Sequence, residues 1–466
     1  MEFASKAGRL VTAVTVLAAT AVLVWFGNGL TPWWPLMWFA PLPLFWFSLR
    51  SPWWAAAIVA FVAWLAGSAS MIEYFSLVGM PPAVWLANFG GMGCMVATGV
   101  LLFRFLVLRR AVWTGIVALP ALWVSVDWLR YWVTPHGTAA DLAYTQLNFL
   151  PFLQLASLTG PWGMSFVLLL VPAAAAAALY LRAPRIAVVT GAALLVVLGF
   201  GILRLSQPES HTVRVGLIAS DQPAGEAIWN EYAAHARDLA SKGAKVIVMP
   251  EKIAITHDAD TAILQPLADE TGATVVAGEL RVNGTLRYNR AQVYAPHSPV
   301  ASYDKEHLLP PFESDQTPGK EKLALPRDGA KWGVAICKDM DFTSMSVEYA
   351  TLGTGLMLIP AWDFNQDRTW HGDMAIMRGV EGGFSVARAA KNGYLMVSDS
   401  RGRVIARTRS DSAPFATLIA DVPVRHETTL FQRWRDWFAW VAVGLLAWVI
   451  ARTAVCAAVW PRPVTE

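Results

Sequence analysis

Charge is almost absent from long reaches of this 466-residue chain. Residues 1–203 hold 13 of its 71 Asp, Glu, Lys and Arg residues, residues 204–436 hold 55, and residues 437–466 hold three. A membrane-spanning helix needs about 20 mostly apolar residues. Runs of that length set the plan of the chain: a membrane block over 1–203, a segment of ordinary charge density over 204–433, and a C-terminal transmembrane helix with a short cytoplasmic tail over 434–466. A net charge of only +3, with no basic stripe interleaved with aromatics, argues against a nucleic-acid partner.

Spans are expected near 10–27, 33–49, 53–71, 82–108, 111–133, 162–181 and 186–203, with an eighth near 437–459. The second is short and interrupted by Pro32, Pro35, Pro41 and Pro43. Counting it as a crossing gathers Lys6, Arg9, Arg50, Arg109, Arg110, Arg182, Arg185 and Arg462 on one side, while the opposite short loops carry only Arg130. Positive loops stay cytoplasmic, so residues 204–436 are expected on the outer face. Trp33, Trp34, Trp53, Trp54, Trp128, Trp132, Trp434 and Trp437 fall near span ends, as an interfacial belt requires.

From 212 to 424, strand and helix patterns alternate, which implies an α/β layered domain. Strands are expected at Val213–Ala219, Lys245–Met249, Thr274–Gly278, Gln292–Tyr294, Trp332–Cys337 and Gly355–Ile359, and a long helix at about 370–383. Three residues stand at strand ends or in the loops beyond them. Glu251 follows Val246-Ile247-Val248-Met249-Pro250, Lys305 lies in Ser302–Leu308, and Cys337 ends Gly333-Val334-Ala335-Ile336. Taken singly, they read as a surface turn, a solvated lysine and a small buried hydrophobe. Cys337 is, however, the only cysteine of the exported segment, since Cys94 and Cys456 lie within spans, and a lone thiol in an oxidising compartment invites a task. Together the three form a chemical set. A carboxylate can take the thiol proton, and an ammonium can stabilise both a thiolate and a tetrahedral oxyanion.

The set and its spacing, 54 and then 32 residues, resemble the Glu-Lys-Cys triad of the nitrilase (carbon–nitrogen hydrolase) superfamily. Joined to about eight spans, the chain resembles the apolipoprotein N-acyltransferases. Trp128-Leu129-Arg130, Ala143-Tyr144-Thr145-Gln146, Leu158-Thr159-Gly160, Tyr288-Asn289, Lys305-Glu306-His307-Leu308 and Arg378-Gly379-Val380-Glu381 carry that likeness. It implies a multi-span α-helical membrane domain bearing an exported nitrilase-like αββα sandwich, in the bacterial inner membrane. It also implies a phospholipid acyl donor, a thioester on Cys337 and a diacylglyceryl lipoprotein acceptor, with no metal or other cofactor and a monomeric chain. Glu251 would be the base and Lys305 the oxyanion stabiliser. Glu313 would be the second carboxylate, and Asp339 would help orient Lys305 and shape the pocket.

The departures surround the pocket. Lys338-Asp339 stand where the family has an aromatic residue and Glu. Pro310-Pro311-Phe312-Glu313 replace Pro-Phe-Gly-Glu, and Pro360-Ala361-Trp362-Asp363-Phe364 replace Asn-Asp-Ala-Trp-Phe-Gly. Lys338 and Trp362 are therefore pocket candidates. Two rival readings are a membrane-tethered amidase whose acyl-enzyme is resolved by water, and a non-catalytic scaffold, against which the intact set argues. His371, Asp373, Arg378 and Glu381 share one helix, where Arg378 and Glu381 at i,i+3 read as an ion pair. His257-Asp258 and Asp260 read as a solvated loop, since no second His completes a ligand set.

Overall fold

The computed structural model of the chain describes residues 6–208, 211–225, 227–257, 262–327 and 329–459. Asp258, Asp260 and Arg462 therefore lie outside the described residues. Among the described residues, seven helices are long and apolar enough to cross a membrane: Ala7–Gly27, Trp53–Leu77, Pro82–Leu108, Val112–Val133, Ala156–Leu181, Pro184–Leu205 and Trp437–Val459. The protein is a multi-pass membrane protein.

The segment expected as a second continuous span is instead two short helices, Trp34–Met37 and Leu42–Ser48. Proline lacks the amide hydrogen and tolerates only the first helical turn. Pro35 and Pro43 occupy first turns, and Pro41 precedes the second helix. The pair still carries the chain back across the bundle. Arg9, near the start of the first helix, and Arg50, just before Trp53, border one cavity, whereas Gly67 packs on Val24 towards the other end of both helices. The first helix and Trp53–Ser68 thus run parallel, with the broken pair returning between them. Gln146 staples this pair: its side-chain oxygen accepts from Trp38 Nε1 at 2.7 Å, and its amide donates to the Trp34 carbonyl at 3.0 Å. Backbone freed from a helix inside a bundle must find such protein partners.

A kink in Ala156–Leu181 sets the junction between the bundle and the sandwich. Gly160 adopts φ 63°, and a Cβ there would lie 2.4 Å from the Phe431 ring. The glycine of Leu158-Thr159-Gly160 thereby lets Leu430–Trp434, the connection towards the last span, seat against the bundle.

The charged segment folds as two facing mixed sheets. In spatial order the first runs Ala416–Pro423, Thr212–Ala219, Val246–Val248, Thr274–Asn283, Leu286–Tyr294 and Ala301–Asp304, with Ile255–Thr256 beside Thr274–Asn283. The second runs Val404–Arg409, Tyr394–Ser398, Ser385–Lys391, Thr354–Trp362, Ala330–Val334 and Leu323–Arg327. Val246 and Val248 enter the core between the sheets, while Ile247 joins Ile228, Trp229, Tyr232 and Leu267 beneath the helices Ile228–Ser241 and Leu264–Thr271. Burial on both faces explains the uninterrupted apolar run there. Helices Thr343–Thr351 and Trp370–Gly382 accompany the second sheet. The result is the expected α/β, nitrilase-like architecture.

Sandwich and bundle share one apolar core, in which Val124, Tyr131, Trp162 and Phe166 cluster with Val334, Leu358 and Phe384. Polar ties cross the same boundary. Thr138 Oγ1 donates to the Asp341 carbonyl at 2.8 Å, and Tyr74 donates to Asp367 at 2.8 Å. Arg378 pairs with Glu381 at 2.6 Å, as their spacing suggested, and also reaches Thr138 in the bundle at 3.0 Å.

Candidate active site

Three chain crossings deliver the three candidate residues. Glu251 lies three residues past strand Val246–Val248, Lys305 immediately follows Ala301–Asp304, and Cys337 opens the short 3₁₀ turn Cys337–Asp341. The strand expected to reach Cys337 stops at Val334. The reason is local geometry: Cys337 takes φ 44°, the left-handed region a β-carbon normally avoids. Such strain needs a surrounding clamp, and Asp339 supplies it. One of its oxygens accepts from the Ile336 amide at 3.0 Å and the Tyr303 hydroxyl at 2.8 Å. The other accepts from the amides of Glu306 at 3.2 Å and His307 at 2.8 Å. One carboxylate therefore ties the turn bearing Cys337 to the loop bearing Lys305.

Glu251, Lys305 and Glu313 have side chains only 2% exposed. Lys305 Nζ bridges Glu251 at 2.9 Å and Glu313 at 2.9 Å. Asn289 donates to both carboxylates, at 2.5 and 2.7 Å, and Lys252 donates to Glu313 at 2.6 Å. A buried charge survives only with such partners. Burial alone would lower the Lys305 pKa, but Glu251 and then Cys337 and Glu313 outweigh it and push it above the ordinary lysine value. Burial would raise Glu313, yet Lys305 and Lys252 bring its pKa down to about 2. Strand Thr274–Asn283 passes so close to Glu251 that a Cβ on Gly278 would lie 2.4 Å from the Pro250 carbonyl oxygen.

The thiol is poised between opposing fields. Burial first, then the Glu251 charge, pushes the Cys337 pKa well above its usual value, while Lys305 and Arg388 pull it down. The resting group is a neutral thiol beside a carboxylate. Its sulfur lies 3.5 Å from the Trp362 carbonyl and 3.9 Å from Arg388 Nη2. Arg388 is buried on strand Ser385–Lys391 and paired with Asp363 at 2.7 Å. Of the Glu251 oxygens, Oε1 takes both hydrogen bonds, and Oε2 is buried with no hydrogen-bond partner among the described residues.

The structure thus brings Glu251, Lys305, Cys337, Glu313 and Asp339 together. Trp362 contributes its carbonyl to the sulfur; the residue is 42% exposed and lines an adjoining open groove of about 570 Å³ with Lys252, Phe312 and Lys391. Lys338 turns to the bundle instead: its ammonium donates to the Pro135 carbonyl and sits 4.8 Å from the Phe342 ring centroid. His371 is wedged between Asp341 and Asp367, at 3.2 and 3.4 Å, where burial is outweighed and its pKa rises to about 10. It serves as a fixed cation at the bundle boundary. Arg388, Asn289 and Lys252 were not singled out as site residues from the sequence. An arginine inside an apolar strand was the available signal for the first, and Tyr288-Asn289 for the second.

Fold and cluster define the class, a carbon–nitrogen hydrolase domain mounted on a membrane bundle, and residues 206–429 match the carbon–nitrogen hydrolase family. Residues 20–174 match the apolipoprotein N-acyltransferase N-terminal domain, so the two matches together follow the chain through most of its length, in the domain order that the apolipoprotein N-acyltransferase likeness implies. It is 27% identical to the apolipoprotein N-acyltransferase of Geobacter metallireducens, covering 90% of each chain. It is 25% identical to that of Allorhizobium ampelinum, covering 87% of this chain and 86% of the relative. A solved amidase from Nesterenkonia sp. aligns with 50% of this chain and 97% of its own, at 20% identity and a TM-score of 0.43.

Proposed function

We propose that the protein moves an acyl chain from a phospholipid to the α-amine of a diacylglyceryl-cysteine lipoprotein through a thioester on Cys337. The observation that carries this reading is the buried, unpartnered Oε2 of Glu251 beside a neutral thiol. A buried acceptor left without a donor is costly, and a base waiting for a proton is one use for it. In the first half-reaction the thiol proton passes to Glu251 and sulfur bonds to the ester carbonyl. The tetrahedral oxyanion forms within reach of Lys305. Its collapse expels the lysophospholipid alkoxide, which takes the proton from Glu251. In the second half the lipoprotein amine attacks the thioester and loses a proton to Glu251. The C–S bond breaks, and the proton returns to sulfur. Glu313 and Lys252 hold the Lys305 ammonium in place, and Asp339 fixes its loop against the nucleophile turn.

The test is direct. Purified full-length protein incubated with phospholipid is expected to gain the mass of one acyl group on Cys337, and a diacylglyceryl peptide should discharge it as an N-acyl product. Discharge by water with no transfer to the peptide would mark an amidase. The absence of any adduct would overturn the thioester.

The reaction also needs the hydrolase domain on the outer face, which the arginine-rich loops favour. A reporter fused after Arg204 should behave as exported and one at the C-terminus as cytoplasmic. A cytoplasmic signal at 204 would remove the lipoprotein from reach.

A further inference from the structure

At the end of the bundle remote from the hydrolase domain, three inter-helix turns and the start of the first helix converge on a cavity of about 1060 Å³. Each contributes one arginine to its lining: Arg9, Arg50, Arg110 and Arg182. Arg50 is fixed in place. Its guanidinium lies 4.5 Å from the Trp46 ring centroid and 5.2 Å from that of Tyr180, and it donates to the Trp46 carbonyl at 3.2 Å. Arg110 and Arg182 stand at left-handed turns, φ 64° and 51°, where the chain reverses between helices. Among the described residues, no Asp or Glu lines the cavity and no ion pair is made by any of the four arginines. Aromatic rings hold a guanidinium but give it no counter-charge. Four like charges around one cavity therefore call for an anion that touches several of them.

The walls identify the source of that anion. Leu10, Trp54 and Ile58 line the same cavity and are 66%, 55% and 56% exposed, on helices that face the bilayer. A free phosphate would gain nothing from such walls, whereas a phosphodiester with acyl chains fits both halves. Basic pockets between spanning helices are suited to lipid head groups. We propose that this cavity binds an anionic phospholipid, with its phosphate among the four arginines and its chains along the apolar walls. The site lies at the opposite end of the bundle from Cys337, so it is separate from the proposed donor site and does not depend on the reaction assigned there.

Native mass spectrometry of the full-length protein, equilibrated with phosphatidylglycerol or phosphatidylcholine, tests it. The wild type should retain phosphatidylglycerol in preference to phosphatidylcholine by about tenfold. Arg9→Gln with Arg110→Gln changes two exposed side chains that pack against nothing essential. It should cut phosphatidylglycerol retention about tenfold while the thermal unfolding midpoint and acyl-adduct formation at Cys337 stay as in wild type. Arg50→Gln should likewise lower phosphatidylglycerol retention, with some loss of stability as its contacts to Trp46 and Tyr180 go. Equal retention of both lipids by the wild type, or unchanged retention by the double variant, would overturn the proposal. So would displacement of the lipid by inorganic phosphate at millimolar concentration, which would mark a site for a free anion.

Discussion

Cys337→Ala is expected to take up no acyl group from phospholipid and to pass none to a lipoprotein peptide, as read by intact mass and by peptide N-acylation. No other thiol can substitute: Cys94 and Cys456 lie on spanning helices, and the proposed intermediate is a covalent bond to this sulfur. Cys337→Ser should be nearly as inactive, because a hydroxyl is far harder to deprotonate and Glu251 is a weak base for it. Glu251→Gln isolates the base. Removing the carboxylate charge also removes one of the fields that raise the thiol pKa, while Lys305 and Arg388 still lower it. The thiolate fraction then grows as pH rises through the thiol pKa, so this variant should acylate slowly at neutral pH and recover part of its rate in alkali. A rate in the Cys337→Ala protein, or a flat pH profile in Glu251→Gln, would refute these roles.

Lys305→Ala should slow acyl-enzyme formation by ~10²–10³-fold, the scale of losing one oxyanion stabiliser. The geometry makes the position exacting. Lys305 Nζ sits between two carboxylates 2.9 Å away on either side, and its backbone amide donates to the Asn289 carbonyl at 2.8 Å. Lys305→Arg should fail to rescue the rate, since a planar guanidinium cannot replace a compact ammonium in that space. The substitution also leaves two buried carboxylates facing each other, so single-turnover rates are to be read on protein whose far-ultraviolet circular dichroism matches wild type. Near-normal turnover in either folded variant would take Lys305 out of the chemistry.

The candidate residues were legible mainly through their spacing, which resembles that of the superfamily triad; Glu251 and Cys337 follow apolar runs, but Lys305 follows the mostly polar Ala301–Asp304 and looked like an ordinary solvated lysine. What supports them was harder to see. Lys252 beside Glu251 and Asp363 beside Trp362 look like surface charges in one dimension, and their buried partners, Glu313 and Arg388, lie 61 and 25 residues away. The strand before Cys337 was expected to run three residues too long, since periodicity carries no sign of a left-handed residue. Helix Thr343–Thr351 escaped notice because its Thr and Ser residues blur the apolar pattern. In the membrane, hydropathy located the seven long helices, and prolines marked the broken one. That the broken pair runs back along the bundle was legible only through loop arginines, a charge signal and not a helical one. The substitution of Lys338-Asp339 for an aromatic residue and Glu could be seen but not interpreted until Asp339 proved to join the two loops.

The shared core has a consequence for how this protein can change. Its catalytic half is not a portable module. Cut free at residues 204 and 433, it would present Phe342 without the Tyr131 ring 6.0 Å away, and Phe431 without the bundle kink at Gly160 on which it sits. The Asp341 carbonyl and the Asp367 carboxylate would lose Thr138 and Tyr74. The groove around Trp362 can be altered residue by residue, but another hydrolase domain could not be seated here without remaking the bundle surface beneath it. The two halves are thus a single folding object, and a substitution on either side of the boundary is felt on both.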